Sequence, residues 1–151
     1  MPDYKYFEDF QVGEKQESTM KRQMTEADIR LFLGCTDNVH PVHLDPDYCA
    51  KSGLKGPVVH GCLTLAVADG FMAREISPTK VPTIHYGHDK VRYIRPVYPG
   101  DAIYCKSKVI DKAVKDDKYG VVTWEITVYN QHDEAVLFHI DKQHIGRKPT
   151  E

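Results

Sequence analysis

The stretch Cys62-Leu-Thr-Leu-Ala-Val-Ala-Asp-Gly-Phe-Met-Ala73 narrows the folds open to this chain more than any other part of it. Leu63, Val67 and Gly70 fall on one helical face, while Leu65, Ala68 and Met72 cover another. A helix apolar nearly all round must be buried on most sides. Asp69 is the exception, a carboxylate that needs a partner if it is buried. Beyond the helix the chain reads as strand. Thr83 to Tyr93 makes one strand; in the next, Ile103, Cys105, Ser107 and Val109 alternate with Tyr104, Lys106, Lys108 and Ile110. Val122, Trp124, Ile126 and Val128 line one face of a third, and Val136, Phe138 and Ile140 one face of a fourth. Turn residues separate them at Pro96-Val-Tyr-Pro-Gly-Asp101, Asp116-Asp-Lys-Tyr-Gly120 and Asn130-Gln-His-Asp133. A buried helix followed by an antiparallel meander predicts an α+β fold, the sheet wrapped on the helix.

Ahead of that helix, Lys15 to Met24 is a strand candidate. Thr25-Glu-Ala-Asp28 has the form of a capping box with Asp in place of the usual Glu, and Ile29, Phe32 and Leu33 supply an apolar face for a short helix. That helix is expected to stop near Gly34. The loop Thr36 to Asp45 comes next, and Asp45-Pro46 starts a helical turn through Tyr48 and Ala50 to Gly53.

Composition removes several classes of function. With 151 residues, 41% hydrophobic and 28% charged, the chain reads as one globular domain over residues 1–151. The formal charge of −2 argues against nucleic acid or an acidic membrane surface as partner. Apolar runs such as Leu65 to Ala68 are far too short to span a bilayer. Met1-Pro-Asp-Tyr-Lys-Tyr lacks the basic start and apolar run of an export signal, so a cytoplasmic location is expected. Cys35, Cys49, Cys62 and Cys105 have no C-x-x-C spacing and read as reduced, mostly buried residues.

Chemistry concentrates between Asp37 and Asp45, where Asp37, Asn38, His40, His43 and Asp45 crowd together. A histidine can take and return a proton near neutral pH, and a carboxylate beside it can share the work. The plainer reading is a set of polar groups capping a solvated loop. His40-x-x-His43-x-Asp45 also offers three ligand types, but Pro41 breaks any helical face, and no metal is expected. His60-Gly61 opens the long helix, where unpaired N–H groups and the dipole favour negative charge and glycine admits a close approach. Gly61 also reads simply as a packing residue. His85, His88, His132, His139 and His144 are scattered and read as structural, and Trp124 as core.

The order Asn38-Val-His-Pro-Val-His43-Leu-Asp45, then Tyr48 and Ala50, then Gly56-Pro-Val-Val-His-Gly61 resembles the MaoC-like dehydratases and (R)-specific enoyl-CoA hydratases. Their pattern is D-x-N-P-[ILV]-H-x-D, followed eighteen residues after the histidine by the last glycine of G-P-[IV]-x-H-G, the spacing of His43 and Gly61. Val91-Arg-Tyr-Ile-Arg-Pro-Val-Tyr-Pro-Gly-Asp101 is similar to the family's V-[RK]-F-x-x-P-V-x-P-G-D segment. The resemblance implies a hot-dog fold, a long helix wrapped by an antiparallel sheet, with two copies pairing into a homodimer or a higher oligomer.

It also implies hydration or dehydration across the α,β double bond of a short acyl-CoA thioester, with coenzyme A part of the substrate and no separate cofactor. Carried over, His43 is the acid–base, Gly61 the oxyanion donor beside His60, and Asp45 a loop-ordering residue. The family's catalytic Asp falls on Asn38, and its Asn on His40. An amide orients water but does not accept its proton. Either Asn38 positions the water while His43 moves all protons, or Asp37, His40 or Asp69 supplies the missing group. The alternatives are an acyl-CoA thioesterase using Asp69, and an acyl-CoA-binding subunit that pairs with a complete hot-dog chain.

Overall fold

The computed structural model describes residues 5–79 and 81–149. β1 (Lys15–Glu17) and β2 (Arg22–Gln23) replace the single strand expected from Lys15 to Met24. The break has a cause: the Glu75 carboxylate accepts from Thr19 N at 2.6 Å and Thr19 Oγ1 at 2.8 Å, drawing that segment away from its strand neighbour. α1 (Glu26–Thr36) begins at the expected box. Thr25 Oγ1 accepts from Asp28 N at 3.2 Å, and Asp28 Oδ2 accepts from Thr25 N at 2.8 Å. The helix runs past Gly34 and ends instead at Asp37, left-handed at φ 53°. A short aspartate tolerates that conformation almost as asparagine does.

α2 (Pro46–Lys51) is the expected turn after Asp45. α3 (Gly61–Phe71) is the long helix, continued by a wider turn over Met72–Ile76. Thr64, Ala68, Phe71, Met72 and Ile76 are buried, but Cys62, Ala66, Gly70 and Ala73 form an exposed stripe. Burial on most sides, read from the two apolar faces, has one exception: these small residues are left uncovered by the sheet.

β3 (Thr83–Tyr93), β4 (Ala102–Val114), β5 (Tyr119–Tyr129) and β6 (Ala135–Gly146) complete the sheet. The strand order is β1-β4-β5-β6-β3, with β2 also on β4, and these strands all pair antiparallel. The fold is the α+β hot-dog arrangement. Ile103, Cys105 and Val109 of β4 join Val122, Trp124, Ile126 and Val128 of β5 in the core, where Phe10 meets Trp124 edge-on at 5.4 Å.

β6 departs from expectation. Its alternation sets the buried Leu137, His139, Asp141 and Gln143 opposite the core residues Val128, Ile126, Trp124 and Val122 of β5, while Val136 is an extra residue at a register shift and leaves the Phe138–Ile140 face. Polar groups thus sit mid-sheet beside Ile126 and Trp124. An unsatisfied buried polar group costs about 1–3 kcal/mol, so their presence asks for a reason. All four cysteines are free, with Cys49 and Cys105 buried and Cys35 and Cys62 exposed, fewer inside than expected.

Candidate active site

The loop between α1 and α2 is held by its own polar side chains. Asp45 Oδ1 accepts from Asp47 N at 2.9 Å and from Tyr48 N at 3.1 Å, capping α2. His40 Nδ1 accepts from Val42 N at 3.2 Å, and Pro41–His43 closes one tight turn. Asp37 ends α1, its N–H donated to Leu33 O. Asp37, His40 and Asp45 therefore serve the backbone, and among the described residues His40, His43 and Asp45 do not form a cluster that could hold a metal ion.

His43 is the side chain this loop presents. Its Nδ1 lies 2.7 Å from Val58 O. A carbonyl only accepts, so Nδ1 carries the proton and Nε2 keeps the lone pair. The ring stacks on His60, centroids 3.7 Å apart and planes 23° apart. His60 is itself buried and donates Nε2–H to Asn38 O at 3.1 Å. Desolvation holds the His43 pKa below the usual 6.5; the neighbouring His60 and His40 push the same way, and the Val58 bond pulls partly back. At neutral pH His43 is a free base.

Gly61, eighteen residues on, opens α3 next to this ring pair. Leu63 N and Thr64 N both turn to His60 O, at 3.0 and 3.1 Å. Among the described residues, Gly61 N–H and Cys62 N–H have no acceptor. Such N–H groups, reinforced by the helix dipole, stabilise an oxyanion. A Cβ on Gly61 would stand 2.9 Å from Tyr93 Cδ1 and Cε1, so only glycine lets that ring lie over the helix start. His43, Gly61, Cys62 and Tyr93 line a cleft of about 470 Å³. His43 also borders a second, more polar cleft of about 610 Å³, with Arg30 and Lys55 on its walls. The histidine stands where the two meet.

Asn38 gives its carbonyl to His60, and its exposed carboxamide makes no hydrogen bond among the described residues. Asp69 is not brought to His43. It lies eight residues past Gly61 on α3, about 12 Å at 1.5 Å per residue, and its Oδ1 is 3.0 Å from His88 Nε2. Sequence reasoning missed the Val58 carbonyl, which no side-chain pattern could reveal. It also passed over Tyr93, although the Val91-Arg-Tyr93 motif contained it.

The sequence model of the family described as "MaoC like domain" matches residues 9–130. Protein MaoC of Klebsiella aerogenes is 33% identical over 128 residues, which cover 82% of this chain and 37% of that protein. Beta-methylmalyl-CoA dehydratase of Chloroflexus aurantiacus is 29% identical over 136 residues, 89% of this chain and 38% of that protein. The chain thus spans well under half the length of both curated relatives. A crystal structure of a monoamine oxidase regulatory protein from Archaeoglobus superposes with a TM-score of 0.87 at 35% identity, covering 97% of each chain. Among the described residues no helix is long and apolar enough to cross a membrane.

Proposed function

The chain belongs to the MaoC-like domain family, and from that premise we propose that it adds water to, or removes it from, the α,β double bond of a short acyl-CoA thioester. One observation carries the reading: His43, its Nδ1 fixed on Val58 O, shares a cleft with the unpaired amides that open α3. In hydration, water attacks the β-carbon while His43 Nε2 takes its proton. The enolate oxygen rests on Gly61 N–H, and the imidazolium returns the proton to the α-carbon. Asn38, its carboxamide unengaged, orients the water. Hydrolysis through Asp69 is disfavoured, because that carboxylate is committed to His88 at 3.0 Å and lies well along α3.

A second copy is the partner this reading expects. β3 is an outer strand of the sheet, paired only with β6 among the described residues, and it exposes Ile84 and Tyr86 at 56% and 57%. An open apolar edge is a template for pairing. The deciding experiment incubates the protein with crotonyl-, mesaconyl- and itaconyl-CoA, tracking enoyl absorbance and free thiol together. Loss of the enoyl signal without thiol supports hydration. Thiol release would make the protein a thioesterase, and binding without either signal an acyl-CoA-binding subunit.

A further inference from the structure

Away from His43, three elements bring metal-ligating side chains together. Asp69 of α3, His85 and His88 of β3, and Asp141 of β6 each offer one ligand atom, and these atoms lie within 4.8 Å of one another. Two histidines three apart would face opposite ways on a regular strand. Here His85 pairs with Gln143 and Gly87 with Lys142, so Tyr86 is an extra residue, and His88 comes opposite Asp141. The bulge turns both imidazoles to the side of Asp141 and Gln143.

Asp141 is the floor of this cluster. Its side chain is 0% exposed; Oδ2 accepts from Gln143 Nε2 at 2.8 Å. Among the described residues Oδ1 has no hydrogen bond, yet His88 Nε2 stands 3.5 Å away and His85 Nδ1 3.6 Å away. His139, the next inward residue of β6, is also buried, and neither of its ring nitrogens has a partner among the described residues. Burial pushes the Asp141 carboxyl up to about 6 and His139 down to about 4. Asp69 and His85, 38% and 40% exposed, stand at the mouth, on a cleft of about 360 Å³.

We infer that Asp69, His85, His88 and Asp141 bind one divalent transition-metal ion, of which zinc fits the donor set best. Two imidazole nitrogens and two carboxylate oxygens suit zinc and its first-row neighbours, whereas magnesium prefers an all-oxygen octahedron. A tetrahedral ion with bonds of about 2.0–2.1 Å separates its ligand atoms by about 3.3–3.4 Å. The spacings of 3.0, 3.5 and 3.6 Å already straddle that value. The ion would meet the Asp141 oxygen that has no donor, and Gln143 would hold the other oxygen as an orienting partner.

The test strips the full chain with a chelator, dialyses it and titrates it with Zn²⁺, Co²⁺ and Mg²⁺. The expected result is one Zn²⁺ or Co²⁺ per chain, intense visible cobalt bands of tetrahedral type, and no comparable uptake of Mg²⁺. Asp141→Asn and His88→Gln are each expected to weaken Zn²⁺ binding at least ~10-fold, the lower bound for losing even an orienting partner. His43→Ala should retain one equivalent, which separates this site from the proposed hydration centre. Absence of Zn²⁺ and Co²⁺ uptake, or uptake unchanged in these variants, would overturn the inference and leave a metal-free His–Asp network. Should Asp141→Asn fail to fold by circular dichroism, His85→Gln decides, because His85 lies at the exposed mouth.

Discussion

At His43 the 2.7 Å bond to Val58 O decides which nitrogen meets substrate. Under the proposed mechanism that nitrogen moves both protons, so His43→Ala should lower kcat/KM for crotonyl-CoA by at least ~10²-fold. A near-normal rate would remove the histidine from the mechanism. The free base must take the water proton, and burial lowers the His43 pKa below 6.5. The kcat/KM for hydration should therefore rise from acid pH through a midpoint below 6.5 and level off above it. A midpoint above 6.5 would contradict the stacked, desolvated ring. Asn38 orients without accepting a proton. Asn38→Asp should then raise kcat for crotonyl-CoA by sharing the base's work, and a collapse of rate would give the amide a substrate contact of its own.

At the scale of elements, the Thr25–Asp28 box and Arg22 anchor α1: Arg22 Nη2 lies 2.7 Å from Asp28 Oδ1. Thr25→Ala should cost ~1 kcal/mol in denaturant unfolding. The Arg22 bond and the Thr25 cap hold Asp28 down at about 2 against 3.8 unfolded, so its contribution is full above pH 3.8 and is lost as pH falls toward 2. With Arg22 partly exposed, about 1–2 kcal/mol is expected to vanish over that window, and Asp28→Asn should flatten it. This box was legible in the sequence because its signal is local, as were Asp45-Pro46, the helix from Gly61 and the span of β3. The end of α1 was not, since Asp37 took the left-handed role that Gly34 advertised. Motif order put His43 and Gly61 forward together as candidates, and both line one cleft. The His85–His88 cluster was not, because an extra residue in β3 defeats any count of two and its carboxylates come from distant elements.

For the whole molecule, the open edge of β3 sets the expected assembly. Lysines at Ile84 and Tyr86 should shift a dimer to monomer in light scattering coupled to size exclusion, because charge on an edge blocks strand addition. A wild-type protein that runs as monomer at micromolar concentration would refute edge pairing. The bulges of β3 also shape the sheet itself. From His85 to Tyr93 this strand spends eight residue steps where β6 spends six from Gln143 to Leu137. The surplus contour is about 6–7 Å at 3.2–3.4 Å per residue. A railway laid with one rail longer than the other has to curve. Here the long rail is an outermost one, so its two bulges bend that margin of the sheet and tighten its twist.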